Sequence, residues 1–216
     1  MAVRARTLLR AGGVLLCAAG LAVAGEAAFI HAKAQLAQFL LTRAWAARLA
    51  GAAPADAKPW PWADTVPVAR LAVPRLGIDE IVLADASGRT LAFGPAHLAG
   101  TARPGDAGHT ILTGHRDTHF AFLRDLVPGD TLRLQAADGG WRSFAVTGTT
   151  VLDARSARFD AAPGRAALTL VTCYPFDAVA PGGPLRYAVF GEAVTSAARS
   201  APPARHARHG ETGRPG

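Results

Sequence analysis

Leu168-Thr169-Leu170-Val171-Thr172-Cys173 alternates apolar and small polar residues and ends on a thiol. A period of two, rich in β-branched residues, predicts a half-buried strand. Two other runs read the same way. Ile111-Leu112-Thr113-Gly114 leads into His115, and Arg186 opens Leu185-Arg186-Tyr187-Ala188-Val189-Phe190. A cysteine, a histidine and an arginine therefore stand at strand ends. Together these groups support acyl transfer: a thiolate attacks the acyl carbon, an imidazole moves protons, and a guanidinium steadies the developing oxyanion.

Outward from these runs, the chain from Thr65 onward reads as short strands punctuated by Gly and Pro. Strands are expected at 66–73, 80–84, 91–93, 110–114, 131–135, 142–152, 168–173 and 185–194. Few helical patterns interrupt them, apart from a short helix at 120–126. The fold class is therefore all-β, an eight-stranded closed β-barrel with short helices. A barrel brings residues distant in sequence side by side, so the long gap from His115 to Cys173 is no obstacle. The loop 174–184 carries Pro175, Pro181, Gly182, Gly183 and Pro184 and is expected to form one wall of a substrate groove.

The N-terminal part is different. Residues 11–25 carry no charge, and 8–30 are apolar apart from Arg10, Glu26 and the glycines. Arg4, Arg6 and Arg10 precede or enter this run. That is the pattern of a signal anchor, since a spanning helix needs about 20 apolar residues. Ala22-Val23-Ala24 also fits a cleavage site, so a removable signal peptide is the alternative. Leu16 before Cys17 argues against lipidation there. Residues 31–50 continue in a helical pattern, with Leu36, Phe39, Leu40, Trp45 and Leu49 among Lys33, Arg43 and Arg48. They read as a stalk or membrane-surface helix, or as a helix packed on the domain. Gly51 ends the helix and a Pro-rich linker follows. The expected organisation is an anchor at 1–30, stalk and linker at 31–64, catalytic barrel at 65–195, and a disordered tail at 196–216.

Charge narrows the partners. Of the net +7, the arginines before the first apolar run supply three, and the tail arginines less Glu211 supply three more. Almost nothing remains on the body, where a nucleic-acid surface would need a basic stripe, so no nucleic acid is expected. The two cysteines, Cys17 and Cys173, fall in different environments if the first run spans a membrane, and do not pair. A lone buried cysteine is usually inert, but an odd thiol in an exported domain is a reactive candidate. His97, His109, His115, His119, Asp106 and Asp117 cluster in sequence without the spacing of a familiar zinc site. No metal and no cofactor are expected.

The longer strings are more specific. Thr113-Gly114-His115-Arg116-Asp117-Thr118-His119-Phe120, Leu170-Val171-Thr172-Cys173-Tyr174-Pro175-Phe176 and Gly182-Gly183-Pro184-Leu185-Arg186-Tyr187 resemble the sortases, in the order His, Cys, Arg. They are most similar to the proteobacterial sortases called class GN, as is Lys58-Pro59-Trp60-Pro61-Trp62-Ala63-Asp64. The resemblance runs from about Lys33 to Glu192. It implies a membrane-anchored β-barrel enzyme with Cys173 as nucleophile, His115 as proton shuttle and Arg186 as oxyanion partner. It also implies a substrate protein with an LPXTG-like C-terminal sorting signal, an amine acceptor, and a single-pass location in the inner membrane with the catalytic domain on the periplasmic side. Thr172, Asp117 and Tyr174 are supporting candidates. Asp117 either orients His115 or pairs with Arg116, the ion pair being the blander role. Thr172 points away from the nucleophile's face if its strand is regular. The competing functions are a cysteine peptidase, with water as acceptor, and an inactive membrane-tethered binding barrel.

Overall fold

The computed structural model describes residues 2–159, 166–180 and 182–194, so the expected tail lies outside the described residues. Period-two burial recurs along its strands. In β1 (Pro67–Val73), Ala69, Leu71 and Val73 are fully buried and alternate with half-exposed neighbours. β5 (Thr131–Ala136) buries Leu132, Leu134 and Ala136, and β7 (Ala167–Cys173) turns Leu168, Leu170 and Thr172 inward. With β2 (Ile78–Leu83), β3 (Ala96–His97), β4 (His109–Thr113), β6 (Trp141–Asp153) and β8 (Leu185–Ala193) they form a closed barrel in the order β1-β2-β3-β4-β7-β8-β6-β5. Antiparallel pairing of β1 with β5 closes it, while β3 joins β2 through the single pair Leu83 and Ala96. β4 and β7 run parallel, as do β2 and β3.

Seven strand expectations coincide with observed strands to within about two residues, the usual uncertainty of element ends. The third does not. Residues 91–93 lie in the end of a short helix, α2 (Gly88–Leu91), and the turn after it. Ser87 Oγ caps this helix by accepting a hydrogen bond from Thr90 N at 3.3 Å. The strand itself is only Ala96–His97. Leu91 and Phe93 pack outside the sheet, against the cluster that Leu41 and Trp45 of the N-terminal helix form with Ile81, Leu83 and Ala96. The expected helix near 120–126 is a 3₁₀ turn, Ala121–Asp125.

The anchor and stalk segments form one unbroken helix, α1 (Ala2–Leu49). Neither Gly nor Pro lies between Gly25 and Gly51, so nothing breaks it. Gly51 ends it at φ 92°: Gly51 N donates to Arg48 O and Ala52 N to Ala47 O, both at 3.0 Å, the paired bonds of a Schellman cap. The last turns dock on the barrel. Ala37, Leu41, Ala44 and Trp45 form a buried stripe at the spacing of one helix face, and Leu41 and Trp45 cluster with Ile81, Leu83 and Ala96. Gln38 Nε2 donates to Phe93 O at 2.8 Å. Leu36 and Phe39, on the other side, are exposed. Trp45→Ala, in a chain beginning at His31, is expected to lower the unfolding free energy by about 3–5 kcal/mol. Urea unfolding measures this, and an unchanged midpoint would mean the helix does not pack there in solution.

A second tie is electrostatic. Asp130, buried at the start of β5, accepts from Arg75 Nη2 at 2.6 Å and from Val127 N at 2.8 Å. The bond from Arg75 holds its carboxyl below the usual range, and Val127 N adds to this against the cost of burial. Folding thus favours the ionised form. The contribution is complete above the ordinary carboxyl pKa and is lost as pH falls through the depressed one. Asp130→Asn should therefore destabilise the fold at neutral pH, with the gap to the native chain closing in acid. Thermal melts across pH 2–7 test this.

Candidate active site

The three candidate residues converge because of how β4, β7 and β8 pair. Cys173 is the last residue of β7, and its Cα partner across the antiparallel β7–β8 ladder is Arg186. On the other side of β7, the parallel register sets Thr113 beside Val171. Gly114 N then donates to Val171 O at 3.3 Å, one step before His115 leaves the strand. Histidine, cysteine and arginine therefore sit on three adjacent strands at one end of the barrel. Cys173 is half-buried, Arg186 half-buried and His115 exposed.

Thr172 supplies the link between them. β7 stays regular, so its side chain points inward while Cys173 faces out. Thr172 is 1 % exposed, and its Oγ1 donates to Gly114 O at 2.7 Å. Gly114 also lies flat on a buried ring: a Cβ there would fall 2.8 Å from Phe120 Cγ. Beyond Gly114 the chain turns, and Phe120 N donates to His115 O at 2.9 Å. Because β4 has ended at Thr113, Asp117 is not on a continued strand face with His115. Asp117 is exposed, and Arg116 does not turn to it. Arg116 Nη2 instead donates to Ala178 O at 2.7 Å and Ala180 O at 3.2 Å. These carbonyls lie in the loop between β7 and β8, so the turn carrying His115 holds the loop beside Cys173.

Arg186 is oriented by its own neighbours. Nη1 donates to Gly183 O at 2.9 Å and to Leu185 O at 2.8 Å. Its other N–H groups have no protein acceptor among the described residues, and they are available to a substrate oxygen. Tyr174 opens the loop wall, with its ring 6.2 Å from Tyr187 and nearly parallel to it, and 6.3 Å from Phe176. Phe176 and Tyr187 meet edge-on at 5.2 Å, and Arg124 stands 5.4 Å over Phe176. This aromatic wall was not legible beyond Tyr174. Its signal was the Tyr-Pro-Phe string facing Arg-Tyr across the β7–β8 turn.

The histidines that cluster in sequence are dispersed. His97 Nε2 bonds Thr101 and Ala102 O, His109 Nε2 lies 2.7 Å from Thr169 Oγ1, and His119 Nδ1 lies 3.0 Å from Glu80 Oε2. No group of three or more metal-ligating side chains occurs among the described residues.

A sortase domain model matches residues 71–194, more than half of the chain. The chain belongs to the sortase family. Sortase D of Bacillus subtilis (strain 168) is 29% identical over 126 residues, covering 58% of this chain and 63% of that protein. The match thus spans less than two thirds of that relative's length. Among solved structures, sortase C-1 from Actinomyces oris is 32% identical with a TM-score of 0.52, covering 60% of this sortase and 75% of that chain. Sortase A from Corynebacterium diphtheriae has a TM-score of 0.57 at 23% identity, covering 68% and 69%, and is a likeness of fold. The barrel expected from the sequence is the sortase fold.

Thr172→Val keeps the volume but removes the donor to Gly114 O. Leaving that buried carbonyl unpaired is expected to cost about 1–3 kcal/mol and to loosen His115 relative to Cys173. Urea unfolding reads the first effect and the rate of peptide cleavage the second. Native values for both would make the hydroxyl idle.

Proposed function

We propose that this sortase is a membrane-anchored cysteine transpeptidase of the proteobacterial class GN type, acting on a partner protein with an LPXTG-like C-terminal sorting signal. The observation that carries the proposal is the convergence of Cys173, His115 and Arg186 on three adjacent strand ends, in the chain order shared by the motifs. Cys173 Sγ attacks the carbonyl carbon of the scissile amide. The oxygen gains charge and takes hydrogen bonds from Arg186. His115 gives a proton to the leaving nitrogen as the C–N bond breaks, and a thioester remains. An incoming amine attacks the thioester carbon and loses a proton to His115, and Cys173 Sγ departs. The product carries a new amide.

The site fits these roles. Cys173 faces outward beside a loop wall, so a peptide can reach it. Arg186 is held by two carbonyls through Nη1, which leaves its fork directed by the backbone. Thr172 acts as a positioning residue through Gly114, and Tyr174 contributes to the wall. Asp117 has no comparable support and is left as a surface residue of the turn.

The proposed organisation keeps the anchor at 1–30, the docked helix and linker at 31–64, and the catalytic barrel at 65–195. Residues 15–49 include a stretch long and apolar enough to cross a membrane. With the basic N-terminus in the cytoplasm, the barrel lies on the periplasmic side of the inner membrane.

Incubation with a sorting-signal peptide and a panel of amines, followed by mass spectrometry, tests the activity. Cys173→Ala should abolish the thioester adduct and both products, and Cys173→Ser should be nearly as poor. His115→Ala should slow turnover by about 10²–10⁴-fold. Arg186→Lys keeps the charge but loses the fork and should also be strongly impaired. A free carboxylate with every amine would make the enzyme a peptidase. Native protein that binds the peptide without a Cys173 adduct would be a binding barrel.

A further inference from the structure

The Lys58-Pro59-Trp60-Pro61-Trp62-Ala63-Asp64 string has no part in the site at Cys173. Ala57 just before it and Pro59 and Ala63 within it are buried, and Ala63 N donates to Trp60 O at 2.9 Å. Trp60 packs edge-on against Phe93 with ring centroids 5.0 Å apart. Trp62, at the apex of the turn after Pro61, is 79% exposed. Such a large side chain gains nothing for the fold from that position. An apolar groove runs between this turn and α1, lined by Leu36, Ala37, Leu40, Trp60, Trp62 and Phe93. Lys33 and Arg89 stand on its rim, with Arg89 paired to Asp64 at 2.9 Å.

What covers this groove follows from the helix that forms one side of it. α1 is continuous, and its exposed apolar residues Leu15, Leu16, Leu21, Val23, Phe29 and Ile30 lead directly into Leu36 and Phe39. A span ending near Ile30 puts Lys33 about 5 Å and Leu36 about 9 Å further along the axis, at 1.5 Å per residue. The polar layer of a bilayer is about 5–8 Å deep on each side. Lys33 therefore falls among the headgroups and Leu36 just beyond them, and Trp62 lines the groove together with both. Tryptophan prefers that layer because its ring is apolar and its N–H is not. Lys33, with its ammonium 5.6 Å over Phe29, suits a lipid phosphate, whereas Arg89 is already paired with Asp64.

We propose that the Trp60–Trp62 turn and the adjoining face of α1 form a second membrane contact, a lipid-headgroup site that seats the barrel on the bilayer. This rests on the reading of α1 as a membrane span. The occupant is phospholipid of the same leaflet, and a peptide in the groove is the rival outcome.

The test uses the full chain in phosphatidylethanolamine–phosphatidylglycerol vesicles, with bromines placed near the headgroup end of the acyl chains. Tryptophan emission is compared for the native chain and Trp62→Phe, a change at an exposed position that leaves packing intact. Trp45 is sealed between helix and barrel, Trp60 is half-buried against Phe93, and Trp141 of β6 lies under the guanidinium of Arg133 of β5. Bromolipid should quench the native chain, and Trp62→Phe should lose most of that quenching. Equal quenching of both chains, with both retained in the vesicles, would overturn the headgroup contact alone. A chain washed off the vesicles by high salt would overturn the anchor reading and this proposal with it. No bromolipid quenching, together with a Trp62 emission shift on adding sorting-signal peptide, would assign the groove to peptide instead.

Discussion

The hydrogen bond from Thr172 Oγ1 to the Gly114 carbonyl ties together two stretches of chain that have no local reason to meet. It works only in the parallel register of β4 on β7. Parallel neighbours need a crossover between them, and here the crossover contains β5 and β6, which turn back to close the barrel on β1 and β8. The site is therefore a consequence of barrel closure, and a free β4–β7 pair would not make it. Register is enforced by burial. A slip of one residue in β7 would turn Leu168, Leu170 and Thr172 out of the core and Cys173 into it.

The turn after His115 shows how an exposed residue is held without being buried. Phe120 fills the core below it and forbids a side chain at Gly114. Arg116 reaches across to the β7–β8 loop, and His119 pairs with Glu80 of β2. His119 Nδ1 meets Glu80 Oε2 at 3.0 Å with side chains 16% and 21% exposed, whereas Arg70 and Asp79 are 40% and 48% exposed. Exposed pairs of the latter kind contribute about 0–1 kcal/mol. The bracing of the turn thus rests on packing, carbonyl acceptors and one sheltered pair.

Much of this was legible in the sequence, for physical reasons. Runs such as 168–173 alternate because one face of a barrel strand meets the core, and that pattern survives in composition alone. The third strand was misplaced because Leu91 and Phe93 are apolar for α1, and no periodicity records which partner an apolar residue will have. The docked helix was legible only as one of two readings, since Leu36 and Phe39 on its exposed side are as apolar as Leu41 and Trp45 on its buried side. Arg116 beside Asp117 looked like an ion pair because neighbours in sequence are visible. The carbonyls of Ala178 and Ala180 are backbone acceptors that no side-chain pattern announces.

The helix and the site belong to one arrangement. Two grooves flank α1 over nearly the same residues. One holds Trp60 and Trp62, and the other, starting from Phe29, Ile30 and Lys33, is bordered by Thr118 and His119. Those two residues follow His115 in the same turn. The stripe of Leu41 and Trp45 fixes the barrel on α1 just beyond this level. The turn carrying His115 therefore borders α1, and packing that involves none of Cys173, His115 and Arg186 sets the relation of turn and helix. Helix docking and barrel closure act alike: each fixes beforehand a geometry that would otherwise have to be found at an entropic cost.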